Sequence, residues 1–175
     1  PLWVRRQDMA YFMAKYEIFK QIVNVNGSIV ECGVFVGGGI MTWHHCSAIL
    51  EPYNHTRKII GFDTFSGFPA LDESDTATGT SEHLHTGGLA VSSTAEQDLA
   101  SLVAIHDRNR PLSHVGKVEL VKGDACETIP EYIEKNPHLL ISLLYLDFDI
   151  YLPTKAALQD LFSRVVKGGI VAFDE

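Results

Sequence analysis

Two apolar stretches that each run into acidic residues decide the fold of this chain. Residues 139–149 read Leu-Leu-Ile-Ser-Leu-Leu-Tyr-Leu-Asp-Phe-Asp, and residues 168–175 read Gly-Gly-Ile-Val-Ala-Phe-Asp-Glu. Such apolar runs are typical of parallel strands that are buried on both faces. Because open α/β sheets bind ligands beyond the carboxyl ends of their strands, both runs bring carboxylates to that place. Crowded carboxylates repel each other, and a divalent cation is the simplest way to offset that repulsion.

Strand and helix patterns alternate along the rest of the chain. Strands are predicted at residues 28–32, 57–63, 118–121, 140–146 and 170–173. Helices are predicted at residues 3–24, 40–50, 94–107, 126–135 and 153–166. This alternation predicts an α/β fold, a doubly wound parallel sheet with helices on both faces. The aperiodic stretch 64–93, and the variable region as far as residue 114, are predicted to form a lid or substrate loop.

Size and composition exclude several classes of protein. The 175 residues are 46% hydrophobic, which predicts one globular domain with a real core. The formal net charge of -8 argues against nucleic-acid binding, and no apolar run is long enough to cross a membrane. The three cysteines form no CxxC pair, which indicates a reduced, cytoplasmic protein.

The end of the chain lies directly after a strand that delivers acids. We therefore expect residues 1–175 to be one domain cut from a longer chain after its fifth strand, with two further strands to follow. Without them the fifth strand would leave an open sheet edge. The sequence leaves the oligomeric state open, a homo-oligomer included.

A glycine-rich turn lies between the first strand and the next helix. Residues 29–39 read Ile-Val-Glu-Cys-Gly-Val-Phe-Val-Gly-Gly-Gly. Glycines let the backbone approach a ligand, and a helix N-terminus offers free N–H groups. The spacing Glu31-x-Gly33-x-x-x-Gly37, followed by Gly38, resembles the nucleotide-binding turn of class I S-adenosylmethionine methyltransferases. Glu31 would then face the ammonium end of the methionine moiety. A tight turn without a ligand remains the alternative.

Two further acids end neighbouring strands. Asp63 ends the second strand, where a carboxylate can accept hydrogen bonds from both ribose hydroxyls of a nucleoside. Asp124, beside Ala125, follows the third strand and could reach an adenine amino group. Asp124 is also a candidate N-cap for the next helix, and the two roles are compatible.

Five segments together resemble the macrocin O-methyltransferase family. They are GSIVECGVFVGGG, IIGFDTFSGFP, VKGDACETIP, YLDFDIYLPTKAAL and GGIVAFDE. The resemblance covers residues 10–70 and 115–175 and is weaker over 71–114. It implies a metal-dependent enzyme that uses S-adenosylmethionine and Mg²⁺ to methylate a hydroxyl of a sugar, in natural-product or nucleotide-sugar pathways.

The resemblance also implies roles for the acids at the strand ends. Asp147 would be a magnesium ligand, and Asp149 would be the general base. Asp174 and Glu175 match the family's paired acids, which are usually both aspartate, so Glu175 would bind the metal either directly or through a water. Mg²⁺ prefers such hard oxygen ligands, and it would stabilise the alkoxide that attacks the methyl group.

The family's Asp-x-Phe-x-Gly turn matches Asp63 to Gly67 in this sequence. Phe65 and Ser66 would therefore border the nucleoside, since aromatic packing on adenine is favourable.

Two alternative functions remain open from the sequence. One is a Rossmann-fold nucleotide-sugar oxidoreductase or epimerase, which the turn disfavours because Phe35 stands where a pyrophosphate would want glycine. The other is a methyltransferase-like domain kept for binding only, which has no need to crowd four acids together.

Overall fold

A five-stranded, all-parallel sheet forms the centre of the computed structural model, which describes residues 2–77 and 82–174, without the side chains of residues 76 and 77. The strands are β1 Ser28–Cys32, β2 Ile59–Asp63, β3 Val118–Lys122, β4 Ile141–Leu146 and β5 Val165–Phe173. The helices are α1 Arg6–Ile22, α2 Gly38–Leu50, α3 Glu73–Ala77, α4 Ala95–Asp107, α5 Ala125–Lys135 and α6 Tyr151–Leu161. The strand order is β3-β2-β1-β4-β5, so the sheet winds in both directions from β1.

Helices cover both faces of the sheet, which confirms the predicted doubly wound architecture. One apolar cluster joins the sheet to α1, α2 and α4, with Phe19, Trp43 and Leu99 among its buried members. The other joins the opposite face to α5 and α6 through residues such as Ile129 and Leu161. From Leu143 to Leu146, successive residues of β4 alternate between the two clusters, as the two-residue period of a strand requires.

The two apolar runs that predicted the sheet differ in burial. Every residue of β4 is buried, as expected for a central strand. In contrast, β5 is half-buried and Phe173 is exposed, because β5 lies at the edge of the sheet as described. The expectation of burial on both faces was therefore wrong for β5.

The boundary before β5 was also predicted wrongly. The last helix ends at Leu161, a 3₁₀ turn follows at 162–164, and β5 begins at Val165 rather than at residue 170. Gly168 and Gly169, which the prediction left between the helix at 153–166 and the strand at 170–173, lie inside the strand. The register between β4 and β5 shifts here, and Gly168 has a φ of 86° that suits glycine.

A buried arginine fastens α1 to the sheet. Arg57 is 2% exposed, and its guanidinium donates to the carbonyl oxygens of Ile22, Val25 and Gly27 while its Nε donates to Glu51. These carbonyls belong to the end of α1 and the entry to β1. Arg57 thus fixes the position of α1, which lines the cavity described below.

Within residues 2–77 and 82–174, no helix is both long enough and apolar enough to cross a bilayer.

Candidate active site

A cavity of about 520 Å³ opens at the carboxyl ends of the strands. Its size is in the range of small-molecule sites. Most of the predicted site residues line it, and they come from four strand ends. They are Glu31, Gly33, Gly38, Asp63, Asp124, Ala125, Asp147 and Asp149.

The glycine-rich turn after β1 is held by Asp63. The Asp63 carboxylate accepts hydrogen bonds from the N–H groups of Val34 and Phe35, at 2.7 and 2.8 Å, and from the N–H of Phe65 at 2.6 Å. Phe35 has a φ of 51°, a left-handed conformation that these bonds help to maintain. Asp63 therefore joins the ends of β1 and β2 while it faces the cavity.

Gly33 allows the ends of β1 and β4 to meet. A Cβ atom at this position would overlap the carbonyl oxygen of Asp147, and the φ of Gly33 is 96°. A side chain here would push β4 and its acids away from the turn.

Glu31 is buried at the floor of the cavity. It is 2% exposed, and Oε1 lies 4.0 Å from Nζ of Lys15. Burial raises the pKa of Glu31 to about 8, and Lys15 opposes this rise. Gly39 is needed beside it, because a Cβ there would overlap Oε1 of Glu31. Within the described chain Oε2 has no hydrogen-bond partner, which is costly for a buried carboxylate.

Asp124 caps α5, as one of its two predicted roles required. Its side chain accepts a hydrogen bond from the N–H of Cys126 at 2.9 Å. The residue also lines the cavity, so the cap leaves its predicted contact with adenine open.

The acids at the ends of β4 and β5 lie close enough to affect one another. Burial, together with the charges of Asp174 and Asp149, raises the pKa of Asp147 to about 7. Burial and the charge of Asp174 also raise the pKa of Asp149, whose φ is 59°. Asp174 accepts hydrogen bonds from Tyr145, at 2.6 Å, and from Tyr11, at 3.3 Å.

The predicted metal site is only partly within the described structure. Glu175 lies outside the described residues. Among residues 2–77 and 82–174, no group of three or more His, Cys, Asp or Glu side chains is arranged to hold a metal ion. Asp147 and Asp174 supply oxygen ligands of the kind that Mg²⁺ prefers.

Three predicted cofactor residues do not lie on the cavity wall. Phe65 is 6% exposed and packs in the core, and Ser66 is exposed. Gly37 instead packs against Leu99, which a Cβ would overlap. Phe68, which directly follows the turn from Asp63 to Gly67, is an aromatic residue that lines the cavity.

The comparisons with known proteins agree with the fold and show the family. The model of the macrocin O-methyltransferase family matches residues 7–175. The chain belongs to this family. Its fold matches the crystal structure of CalS11, calicheamicin methyltransferase, with a TM-score of 0.95 and 38% identity over all of this chain and 67% of that one. An apo structure of CalS11 is described as TDP-rhamnose 3'-O-methyltransferase, an enzyme in calicheamicin biosynthesis.

Two curated relatives methylate sugar-bearing natural products. One is the 8-demethyl-8-(2,3-dimethoxy-alpha-L-rhamnosyl)-tetracenomycin-C 4'-O-methyltransferase of Streptomyces olivaceus, 29% identical over 86% of this chain. The other is the mycinamicin III 3''-O-methyltransferase of Micromonospora griseorubida, 28% identical over 86% of this chain. The chain spans 53% and 56% of the lengths of these relatives.

In this member of the macrocin O-methyltransferase family, sequence reasoning missed the contribution of α1. Tyr11, Phe12 and Lys15 line the cavity from this helix. A signal was present, because Lys15 lies in the same helical stripe as the buried Phe19 and Ile22. A lysine in a buried stripe is uncommon unless it has a partner.

The predicted loop region contributes to the same cavity. Thr64, Gly67, Phe68, Pro69 and Leu89 all line it.

The loop is also fastened to α6. The Asp75 carboxylate accepts the N–H of Tyr151 at 2.6 Å, at a helix end that has no side-chain cap of its own. The short helix α3, which carries Asp75, was not predicted.

Proposed function

We propose that this chain forms the cofactor- and metal-binding part of an O-methyltransferase that uses S-adenosylmethionine and Mg²⁺ to methylate a hydroxyl of a sugar. The observation that carries the proposal is that the acid-bearing glycine turn, Asp63 and the strand-end acids Asp147 and Asp149 line one cavity. The activities of the relatives support a sugar-containing acceptor, either a nucleotide sugar or a glycosylated natural product. A cytoplasmic location and a homo-oligomer remain predictions.

The residues of the turn fit the cofactor. When bound, S-adenosylmethionine supplies an activated methyl group on a sulfonium. Glu31 would bind the ammonium of its methionine end, since the unpartnered Oε2 needs a hydrogen-bond donor. Asp63 would accept hydrogen bonds from the ribose, and Asp124 and Ala125 would lie at the adenine.

The carboxylate oxygens at the ends of β4 and β5 are ligands of the type that a magnesium ion prefers. Asp147 and Asp174 would hold it, with Glu175 beyond the described residues. When bound, Mg²⁺ supplies positive charge that stabilises a developing sugar alkoxide. It would also offset the repulsion among carboxylates that raises the pKa of Asp147. Tyr145 and Tyr11 hold the Asp174 carboxylate in place through their hydroxyls.

Asp149 is the candidate base. It lines the cavity beside Asp147, and a carboxylate oxygen of Asp149 would take the proton of the sugar hydroxyl. The raised pKa of Asp149, caused by burial and by Asp174, makes it a stronger base than an exposed aspartate. The backbone of Asp149 has a left-handed conformation, with a φ of 59°, just after the end of β4.

The structure gives little support to the alternative function, a nucleotide-sugar oxidoreductase or epimerase. A Tyr-x-x-x-Lys spacing, as in the catalytic pair of one class of such enzymes, does occur, at Tyr11 and Lys15, at Tyr16 and Lys20, and at Tyr151 and Lys155. Of these three pairs, Tyr11 and Lys15 line the cavity. However, the Tyr11 hydroxyl donates to Asp174, whereas Lys15 pairs with Glu31. The two groups therefore have separate partners.

Calorimetric titration with S-adenosylhomocysteine tests the cofactor site. We expect binding to the wild-type protein and at least about tenfold weaker binding to Asp63→Asn, which loses charge at the ribose. Asn rather than Ala keeps an oxygen that can still accept from the turn. Asp98→Asn is a matched control, because Asp98 accepts one hydroxyl hydrogen bond on the exposed face of α4. If the folded wild-type protein binds no S-adenosylhomocysteine, the proposal is wrong.

Thermal unfolding with and without MgCl₂ tests the metal site. A ligand that binds only the folded state raises the midpoint. We expect such a rise for the wild-type protein and none for Asp147→Asn, which should itself be folded because it removes a repelling charge. An equal rise in both proteins would exclude Asp147 as a ligand.

A further inference from the structure

Lys15 is a buried cation at the cavity floor that the proposed chemistry does not yet use. Its side chain is 8% exposed, and its Nζ lies 3.5 Å from the centroid of the Tyr145 ring and 5.1 Å from that of Trp43. These aromatic faces attract the ammonium group and keep it in one place. Burial of a lysine is expensive unless a polar partner repays it.

The polar partners of Lys15 are incomplete. Within the described part of the chain, its one ion pair within 4.0 Å is with Oε1 of Glu31, at a distance too long for a hydrogen bond, and Lys15 also acts on Asp147 through its charge. Glu31 has the matching deficit, because its buried Oε2 accepts no hydrogen bond there. A group with three N–H donors and a carboxylate with a free oxygen thus face the same cavity.

A ligand with one charge cannot satisfy both groups. An anion alone would be repelled by Glu31, and a cation alone would be repelled by Lys15. An α-amino-acid zwitterion carries a carboxylate and an ammonium on the same carbon, so it satisfies the donor and the acceptor together.

We propose that Lys15 binds the α-carboxylate of the cofactor's methionine end while Glu31 binds its α-ammonium. Lys15 therefore makes the site specific for a cofactor with an intact amino acid. The assignment rests on the proposed use of S-adenosylmethionine. It gives α1 a part in cofactor recognition, and the Arg57 bonds that fix α1 position Lys15 as well.

The N-terminus of α2 is a competing place for the carboxylate. Gly37 provides no side-chain cap there, and a helix N-terminus offers free N–H groups to an anion. The test must therefore separate Lys15 from α2.

The test compares three ligands by calorimetric titration. S-adenosylhomocysteine has both charges, S-adenosyl-3-thiopropylamine has the ammonium without the carboxylate, and 5'-methylthioadenosine has neither. Each is titrated into the wild-type protein, Lys15→Met and Lys20→Met. Lys20 is the matched control, because it lies on the same helix, is 43% exposed and pairs with Glu17.

The wild-type protein and Lys20→Met should prefer S-adenosylhomocysteine over the propylamine by about tenfold or more, as a charge-assisted hydrogen bond would give. In Lys15→Met the ratio of these two affinities should fall close to one. The affinity of this variant for 5'-methylthioadenosine should stay within about twofold of the wild-type value. Lys15→Arg should restore part of the preference, because it keeps the positive charge. If the Lys15→Met protein does not fold, Lys15→Gln gives the same comparison.

Three outcomes would overturn the assignment. An unchanged preference in Lys15→Met would place the carboxylate at α2 and leave the proposed function standing. An equal loss of affinity for all three ligands would make Lys15 a structural residue only. If the folded wild-type protein bound none of the ligands, the proposed function would be wrong together with this assignment.

Discussion

Tyr145 donates a hydrogen bond of 2.6 Å from its phenol to Oδ1 of Asp174, which joins the interior of β4 to the acidic end of β5. The same tyrosine supports Lys15 with its ring. Burial and the bond to Asp174 raise the pKa of Tyr145, so the phenol stays protonated and remains a donor at neutral pH. One buried side chain thus orients a candidate metal ligand and a candidate cofactor ligand.

Tyr145→Phe should weaken Mg²⁺ binding by about tenfold, because groups that orient metal ligands typically contribute this much to affinity. Tyr132→Phe is the matched control. Tyr132 also donates at 2.6 Å to a carboxylate, that of Glu119, but it packs on the face of α5 and α6. Both variants should lose about 1.5–3 kcal/mol of stability, the range for a hydrogen bond to a charged group. Calorimetric titration with MgCl₂ measures the difference, and equal Mg²⁺ affinities in the two variants would contradict the role given to Tyr145.

Gly39→Ala should weaken binding of S-adenosylhomocysteine by about tenfold or more, because the new methyl group would displace the Glu31 carboxylate. Overpacking of this kind also costs about 1–3 kcal/mol of stability. In Gly116→Ala the methyl group meets no atom of the described chain within 4 Å, so affinity should not change. Calorimetry and urea unfolding measure the two effects, and an unaltered affinity in Gly39→Ala would mean that Glu31 can move without consequence.

Arg57→Lys should destabilise the protein by at least about 2 kcal/mol, because lysine cannot reach the carbonyls of Ile22, Val25 and Gly27 together with Glu51. Arg164→Lys loses a single bond to the carbonyl of Pro137 at the surface, and it should cost less than about 0.5 kcal/mol. Urea unfolding distinguishes the two variants. Similar costs would show that Arg57 does not anchor α1.

The sequence predicted the parallel sheet and the place of its acids, because both depend on local patterns. An apolar run buries β4, and the topology then brings Asp63, Asp124 and Asp147 to one edge. The start of β5 was missed because Gly168 and Gly169 are typical of a helix end, whereas the pairing with β4 places them in a strand.

Side-chain directions depended on contacts between distant segments, which local patterns do not contain. Phe65 and Lys15 lie in environments that the sequence did not predict. The phenylalanine of the predicted nucleoside turn packs in the core, and the lysine of the predicted core helix faces the cavity. Asp63 was expected at a ligand, and its bonds to the N–H groups of Val34 and Phe35 could not be read from spacing.

Glu31→Gln should change the pH dependence of stability of the ligand-free protein. Burial raises the pKa of Glu31 to about 8, whereas the same carboxyl in the unfolded chain titrates near 4.5. Between these values the folded state binds more protons than the unfolded state, so rising pH lowers stability, by up to about 1.4 kcal/mol per pH unit. The variant lacks this loss. Its stability relative to wild type should therefore increase from pH 6 to pH 8 and level off above.

At each pH the free energy of unfolding of the variant must be subtracted from that of wild type, because other groups change stability with pH in the opposite direction. Burial lowers the pKa of His44 and His45, so their contribution to stability is lost as pH falls below about 6.5. This contribution cancels when Glu31→Gln is subtracted from wild type. Glu131→Gln, which removes an exposed acid paired with Lys135, should give a flat difference. Urea unfolding in metal-free buffer at pH 6, 7 and 8 measures both differences. Parallel curves for Glu31→Gln and wild type would mean that Glu31 is already ionised at pH 6 in the folded, ligand-free protein, and burial would then not raise its pKa.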